Sequence, residues 1–344
     1  MSWSKFTIEH IKLIKTYLYD LPSNSQLVVS IKSERDRIKN FIKINNINLV
    51  IKLIQSPDIK KFDDKIKEYA NVDWVDKTSL LKDVNVLDIN YLITWTNISN
   101  PDKNNKIYIK CDESKIKSVL KRIEIIVYML EFLKIKSNND NQEMNIYLIL
   151  SNLTKSFPEN KQIIGVKNAN TGYTDFQKNI IFVWRHEEYE KVLFHEVIHF
   201  FDLDKREDHV DHIAEINGPH SYYEAITDVF GIYYHIIYLS LITKVKIKTL
   251  LEVELTFIRN QAMILNDYLG LGNWKDQPNK IIKQTTPAFS YYILKYLIFE
   301  YLIDHNINET GNYNELLQRS LEQGFKVKYH NKIKSSRMSL LQLE

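Results

Sequence analysis

The sequence predicts an α+β fold, and three observations lead to this prediction. Residues 106–204 alternate between strand-like and helix-like apolar patterns, residues 219–344 are mainly helical in pattern, and residues 1–100 mix both kinds. Of the 344 residues, 44% are hydrophobic and 26% are charged, which provides enough apolar side chains for a sizeable core. We therefore expect a small mixed sheet with one functional helix, then a mainly helical part, and an α/β accessory region ahead of both.

A polar segment divides the chain in this prediction. Residues 99–106 read SNPDKNNK, a composition without apolar side chains that is typical of a linker. Residues 1–100 then form an accessory region, to which the pattern assigns no chemistry. Residues 106–344 form the main domain, with the sheet and the functional helix in 106–204 and mainly helical segments in 205–344.

The elements ahead of the linker follow from short apolar patterns. Residues 5–19 have the spacing of an amphipathic helix, whereas QLVVSIK at 26–32 is rich in β-branched residues and resembles a strand. Lysine-rich helical stretches follow in 34–70, and their lysines are expected to form solvated faces.

The pattern after the linker is sharper. KIYIK at 106–110, EMNIYLIL at 143–150 and NIIFVW at 179–184 have the composition of strands, and residues 114–135 have that of a long amphipathic helix. The segment NANTGYTD at 168–175 has the Asn, Gly, Thr and Asp content of turns. Together these elements predict the sheet half of the main domain.

Charge and cysteine content exclude some classes of protein. The 46 basic and 43 acidic residues give a net charge of +3, which lacks the basic excess expected of a nucleic-acid-binding protein. Cys111 is the single cysteine, so no internal disulfide is expected. The N-terminus has no apolar signal segment, and no run reaches about 18 uninterrupted apolar residues. We expect an intracellular protein of a reducing compartment, without a nucleic-acid or membrane partner; the oligomeric state stays open.

The helix predicted over 188–202 carries the most informative pattern. On a helical wheel its apolar residues collect on one arc, and His195 and His199 fall nearly opposite. Two core histidines, a solvated polar face or half of a metal site would each explain this spacing. Residues four apart lie one above the other, so both imidazoles can reach one Zn²⁺, while Glu196 points about 100° away toward a water on its open side. This His-Glu-x-x-His arrangement favours zinc.

A zinc site of this kind needs a third protein ligand. Asp202 and Lys205 stand where one subclass of zinc peptidases has glycine and histidine, so that subclass is excluded. The alternative is a glutamate on another helix, and residues 217–240 supply Glu224. We expect Asn217 or Gly218 to cap this helix, with Pro219 in its first turn.

The predicted helix over 217–240 is apolar in almost every direction, which is typical of a buried helix. Its polar residues share a narrow stripe that consists of His220, Glu224, Asp228 and His235. Buried carboxylates need a cation or hydrogen-bond donors. A metal would meet this need, and an internal salt bridge to Arg185 or to a lysine is the alternative.

The pattern of His195-Glu196-x-x-His199 followed by Glu224-x-x-x-Asp228 resembles the gluzincins, the thermolysin-like branch of the zincin metallopeptidases. Tyr223 stands where that family often has asparagine. The stretch EEYEKVLFHEVIH is also similar to uncharacterised metallopeptidase-like proteins of large DNA viruses. That resemblance would imply a viral protein, located in the host cytoplasm or the virion.

The resemblance implies a role for each matched residue. His195, His199 and Glu224 would bind one Zn²⁺ per chain, Glu196 would be the general base, and Asp228 would accept a hydrogen bond from a ligand histidine. The strand at 179–184 would be the edge with which an extended polypeptide substrate pairs. A donor to the oxyanion is also expected, and its candidates are His220, His235, Tyr222, Tyr223 and Tyr291.

Three other functions remain open at this point. The chain could be a zinc hydrolase of a non-peptide amide or acyl bond, because the motif indicates water activation and does not indicate the substrate. It could be a non-catalytic protein in which zinc joins two helices, although such a site needs no base at Glu196. It could also be a metal-free interaction protein.

Overall fold

The computed structural model of the chain describes residues 2–55, 58–158, 162–205, 216–217, 221–271, 282–305, 313–323 and 335–344. The fold is α+β, as the sequence predicts. The helices are α1 (Lys5–Ile14), α2 (Gln26–Ile44), α3 (Asp58–Tyr69), α4 (Lys77–Val84), α5 (Glu113–Lys136), α6 (Val166–Ala169), α7 (Tyr189–Phe200), α8 (Tyr223–Thr243), α9 (Ile247–Leu269), α10 (Lys295–Leu302) and α11 (Tyr313–Gln323). The strands are β1 (Leu49–Leu53), β2 (Ile89–Thr96), β3 (Asn104–Cys111), β4 (Asn145–Ile149), β5 (Gly172–Asp175), β6 (Ile180–Val183), β7 (Ile216–Asn217) and β8 (Ile282–Lys283).

Six strands form one mixed sheet in the order β1-β2-β3-β4-β6-β5. The β1–β2 and β2–β3 pairs are antiparallel, the β3–β4 and β4–β6 pairs are parallel, and β5 returns antiparallel to β6. The helix α5 connects β3 to β4, as parallel neighbours require a crossover. The two edges of this sheet are therefore β1 and β5.

Each face of the sheet is covered by helices. Tyr147 and Phe182 pack with Phe62 and Tyr69, so α3 covers the face to which these two strand residues point. Side chains of a strand alternate between faces. By the register of the strands, Trp95 of β2 and Thr174 of β5 point to the opposite face. Their side chains contact α5 and α7, which places those two helices on that face.

The chain divides into two compact units. The sheet unit consists of Arg35–Thr154, Asn170–Leu203 and Glu344, and the helical unit consists of Met1–Glu34, Lys155–Ala169 and Asp204–Leu343. The core of the helical unit is made by apolar residues of α8, α9 and α10, and by the last segment of the chain.

That last segment, residues 335–343, is largely buried and bonded to helices of the helical unit. The amides of Leu340 and Leu341 donate to the Glu254 carboxylate at 3.2 Å, and Lys295 Nζ donates to Met338 O at 2.9 Å. Complete burial raises the pKa of Glu254 to about 7, against the lowering effect of these donors and of Lys295. Polar side chains of α9 and α10 thus fix the segment within the core.

The predicted division at 99–106 differs from these units. The segment connects β2 to β3, which are adjacent antiparallel strands of one sheet. Its polar composition is that of a turn, and turns and domain linkers share this composition because both are exposed. The sheet therefore continues across the predicted boundary, while an accessory role for residues 1–100 stays a prediction.

The local predictions were correct where the apolar period was long. The strands at 106–110, 143–150 and 179–184 and the helix at 114–135 are confirmed as β3, β4, β6 and α5. The strand predicted at 26–32 is wrong, because these residues begin α2. Leu27, Val28 and Ile31 are all buried there, a helical spacing that tertiary packing favours over the β propensity of valine and isoleucine.

Two further predictions need correction. The predicted turn at 168–175 contains the last two residues of α6 and the whole of the strand β5. The strand at 179–184 was expected to be a free edge, but β6 pairs with β4 on one side and with β5 on the other. The edge next to α7 is therefore β5.

The helix α8 begins later than the sequence suggests. It starts at Tyr223, and Asn217, one of the two predicted caps, lies in β7 instead. Gly218 and Pro219 lie outside the described residues. By length and composition α8 could cross a membrane, yet 89% of its most apolar window is buried, and core helices of soluble proteins pass the same test.

Candidate metal centre

The helix α7 carries the predicted histidine motif, and all twelve of its residues are buried. His195, Glu196 and His199 are 6%, 5% and 8% exposed. The solvated-face alternative is therefore wrong, since that face would be open to water. The helical wheel could not show this, because it gives the direction of each side chain around the helix axis and not what packs against that side chain.

The two histidines are neighbours on α7. Their ring centroids lie 4.9 Å apart with the ring planes nearly perpendicular, at 85°. This is the consequence of an i, i+4 spacing, which stacks side chains on one helix face. Two imidazoles at this separation can direct nitrogen atoms toward one ion.

Glu224 lies in the first turn of α8 and is half-buried. The unpaired backbone N–H groups of a helix N-terminus favour negative charge, so this position stabilises an ionised carboxylate. One atom each from His195, His199 and Glu224 forms a group in which all three lie within 4.8 Å of one another. The structure thus brings together the three residues that the sequence proposes as ligands.

The donor set can be tested against what a metal requires. Three atoms within 4.8 Å of one another have a common point no farther than about 2.8 Å from each, against zinc bonds of about 2.0–2.2 Å. Side-chain adjustments of less than about 1 Å would bring all three to bonding distance. Two imidazoles and one carboxylate are also the ligand set of zinc sites that keep one position open. The residues fit zinc.

The strand β5 holds the side chain of Glu196. The Thr174 hydroxyl lies 2.9 Å from Glu196 Oε2 and 3.0 Å from the Glu196 carbonyl oxygen, and it can donate to either. Gly172 leaves room for the same carboxylate, because a Cβ at that position would lie 2.8 Å from Glu196 Oε1 and from Val192 Cγ1. One face of the edge strand therefore fixes both the position and the orientation of Glu196.

Replacing Thr174 with valine should test this contact. The variant keeps the shape of the side chain and removes the hydroxyl, and a hydrogen bond to a charged group contributes about 1.5–3 kcal/mol. If the site hydrolyses peptide bonds, as proposed below, cleavage of denatured casein should slow about 10-fold to 100-fold, with zinc content unchanged. Thr174→Ser keeps the hydroxyl and should restore most of the rate. A loss in Thr174→Ser together with an unchanged rate in Thr174→Val would mean that the methyl group, and thus packing, is what matters.

Asp228 forms a buried ion pair. Its Oδ2 lies 2.7 Å from Lys295 Nζ, and the two side chains are 0% and 1% exposed. The internal salt bridge that the sequence left open thus exists for Asp228, with a lysine as its cation. The second carboxylate oxygen is not used in that contact, so the predicted hydrogen bond from Asp228 to a ligand histidine stays a prediction. For the other candidate cation, Arg185, the guanidinium Nη1 lies 3.8 Å from Glu187 Oε1.

The predicted oxyanion donors have different positions. Tyr222 and Tyr223 stand at the start of α8, next to Glu224, and Tyr291 lies in the short π-helix at Ser290–Leu294. His220 lies outside the described residues. His235 is eleven residues beyond Glu224, or about 16 Å along the helix axis.

His235 is also stacked near Tyr238, with ring centroids 6.1 Å apart, and is 2% exposed. The distance and the stacking assign it to the core, and it is removed from the candidate donors. Sharing a stripe on a helical wheel misled this prediction, because residues on one stripe can be several turns apart.

Sequence reasoning missed three residues around these side chains. Gly172 and Thr174 were assigned to a turn, since their composition gave no strand period. Lys295 was noticed only as an interruption of an apolar run. A single lysine in one apolar helix and a single aspartate in another is a signal that could have paired Lys295 with Asp228.

No protein-family profile, curated protein or solved structure matches this chain.

Proposed function

We propose that this chain is a zinc-dependent hydrolase of peptide bonds, with a zincin-like arrangement of helix, edge strand and glutamate helix. The observation that carries the proposal is the grouping of His195, His199 and Glu224 within 4.8 Å, beside a buried glutamate.

Glu196 supports a catalytic site over a structural one. A zinc ion that only joins two helices needs no base, and a buried carboxylate is costly unless it is bonded. Here the Thr174 hydroxyl and the space left by Gly172 keep that carboxylate beside the ligand histidines. The non-catalytic alternative leaves this arrangement unexplained.

The strand β5 favours a polypeptide over a small acyl substrate. Its described strand neighbour is β6, so its other edge can pair with an extended chain. The same strand contacts Glu196 through Thr174. A peptide paired along β5 would therefore pass close to the proposed base.

The residues of the site would divide the reaction among them. Bound zinc would supply Lewis acidity toward a water molecule and a substrate carbonyl. Glu196 would take the proton of the attacking water on a carboxylate oxygen and deliver it to the leaving amine nitrogen. Thr174 would hold that carboxylate in position through both transfers, and tyrosines at the start of α8 remain candidates for a further donor.

Removing Glu224 should remove the metal. The chain should hold about one zinc after dialysis, and Glu224→Ala should bind zinc more than about 100-fold more weakly, because losing even an outer-shell partner costs about 10–100-fold. Metal content by mass spectrometry measures this directly. A chelator should stop hydrolysis of denatured casein by the unaltered chain, and added zinc should restore it.

The matched control is Glu252→Ala, which removes a half-buried glutamate from α9 whose nearby cation is Lys248 at 3.4 Å. It should keep zinc and hydrolysis. If Glu224→Ala retains a full equivalent of zinc, or if the unaltered chain binds none, the proposed function is incorrect.

A further inference from the structure

The strand β1 forms the edge of the sheet that lies farthest from the candidate metal centre in strand order. Its register with β2 pairs Leu53 with Tyr91, and the amide of Ile54 donates to Asn90 O at 2.8 Å. Residues of an antiparallel strand alternate between those that bond to the partner and those that point away. Ile51 and Leu53 therefore direct their backbone N–H and C=O groups outward, while Val50 and Lys52 bond toward β2.

The side chains of β1 are unusually apolar for such an edge. Val50, Ile51 and Leu53 are 38%, 41% and 52% exposed, and within this strand only Lys52 interrupts them. Proteins normally protect open edges with charges, prolines or bulges, because outward N–H and C=O groups pair readily with another chain. In the described part of the chain, the protection of β1 is limited to Lys52.

A cavity of about 580 Å³ opens beside this edge. One row of residues crosses four strands and forms its floor, since Lys52 pairs with Leu92, Leu92 with Tyr108, and Tyr108 with Tyr147. The two tyrosine rings are stacked, with centroids 4.7 Å apart. On the other side α3 supplies Phe62, so the interior accepts a large apolar side chain.

The rim of the cavity is basic. Three lysines line it, Lys52, Lys61 and Lys65, against one carboxylate from Asp58. Lys61 and Lys65 bond to acidic residues of their own helix, at 3.0 and 2.8 Å, and both pairs are exposed and therefore weak. Lys52 has no ionic partner among the described residues, so a ligand with negative charge would complement this side of the edge.

We propose that β1 and this cavity bind an extended, acidic segment of a partner polypeptide, which adds to the sheet as a seventh strand. Its backbone would pair with the outward groups of Ile51 and Leu53. An acidic side chain would lie opposite Lys52, where cross-strand charge pairs stabilise a sheet, and a neighbouring apolar side chain would enter the cavity. The proposal is independent of the metal centre and of whether the chain is a peptidase.

Fluorescence anisotropy with a designed peptide tests this. The probe is fluorescein-VETFTEV, which alternates in the manner of a strand and carries two glutamates and a phenylalanine on one face; VKTFTKV is the basic counterpart. The full chain carrying Glu196→Gln is used so that the probe is not cut. We expect saturable binding of the acidic peptide at least about 10-fold tighter than of the basic one.

Two variants examine the two parts of the proposal. Ile51→Pro removes an outward N–H while leaving the groups that bond to β2, and edge strands tolerate proline there. It should weaken binding at least about 10-fold, whereas Ile51→Thr, which keeps the N–H, should stay within about 3-fold. Lys52→Glu should reverse the preference between the two peptides. This variant tests the proposal even if Ile51→Pro does not fold.

Three results would overturn the proposal. The first is equal binding of acidic and basic peptides, and the second is unchanged binding after Lys52→Glu. The third is a dimer, detected by sedimentation, that Ile51→Pro dissociates, because then a second copy of this chain occupies the edge in place of a partner peptide.

Discussion

Glu196→Gln is expected to lower the rate of peptide hydrolysis about 10²–10⁴-fold while zinc content stays at one per chain. Glutamine has the same size and can still accept the hydrogen bond from Thr174, so the packing against β5 is kept. What it lacks is the ability to take a proton from water and return it to the leaving amine. The loss should therefore appear in kcat and leave the fold intact.

The measurement compares hydrolysis of denatured casein, zinc content and circular dichroism for the two chains. Glu68→Gln is the control, since Glu68 is an exposed carboxylate of the sheet unit that pairs with lysines on the surface. Glu68→Gln should hydrolyse denatured casein at the rate of the unaltered chain. Retained turnover in Glu196→Gln, with zinc present, would remove Glu196 as the base and would leave the metal site without its proposed chemistry.

The same pair of chains can identify the natural substrate. Proteins that acquire new N-termini in extracts treated with the unaltered chain, and not in extracts treated with Glu196→Gln, are cleaved by this site. If no polypeptide is cut and a small amide or ester is hydrolysed instead, zinc hydrolysis of a non-peptide bond becomes the better proposal.

Much of the sheet unit could be predicted because its signals are local. The apolar period of α5 extends over six turns, and β3, β4 and β6 each carry a compact apolar run. The His195 and His199 pair was predictable for the same reason, since an i, i+4 spacing fixes a shared helix face without reference to the rest of the chain.

The remainder depended on contacts that are distant in sequence. Residues 26–32 form a helix because Leu27 and Ile31 are buried on one side, and β5 forms a strand because β6 is there to pair with it. The proposed partner of Glu196 lies in β5, and no local pattern connects Thr174 with α7. Glu224 was predicted from the need of a buried carboxylate for a cation and from the resemblance to a family, because the spacing of two helices along the chain does not say whether they meet.

Breaking the Asp228–Lys295 pair should have the largest effect on stability. Both side chains are buried, and removing one partner leaves the other as an uncompensated charge, which costs about 3–5 kcal/mol. We therefore expect Lys295→Met to lower the free energy of unfolding by about that amount in urea denaturation. Lys61→Met, which removes an exposed ion pair with Asp58, should change it by less than about 1 kcal/mol.

The double variant should recover part of this loss. With Asp228→Asn and Lys295→Met together, neither of these two positions carries a charge. The Met338 carbonyl still loses its donor, which lies 2.9 Å away on Lys295, and an unsatisfied buried acceptor costs about 1–3 kcal/mol. If the stability losses of Asp228→Asn and Lys295→Met simply add in the double variant, the two residues do not interact. The 2.7 Å contact between them predicts the opposite.

Zinc affinity in Asp228→Asn, in Lys295→Met and in the double variant separates the two roles of Asp228. If the second carboxylate oxygen of Asp228 orients a ligand histidine, zinc binding should weaken about 10–100-fold in both variants that carry Asp228→Asn, and change little in Lys295→Met. The double variant would then recover part of the stability and none of the zinc affinity. Stability would depend on the pair, and zinc affinity on Asp228 alone. If zinc affinity instead follows stability across all three, Asp228 acts only as the partner of Lys295, and its resemblance to the outer-shell aspartate of the gluzincins is a coincidence of spacing.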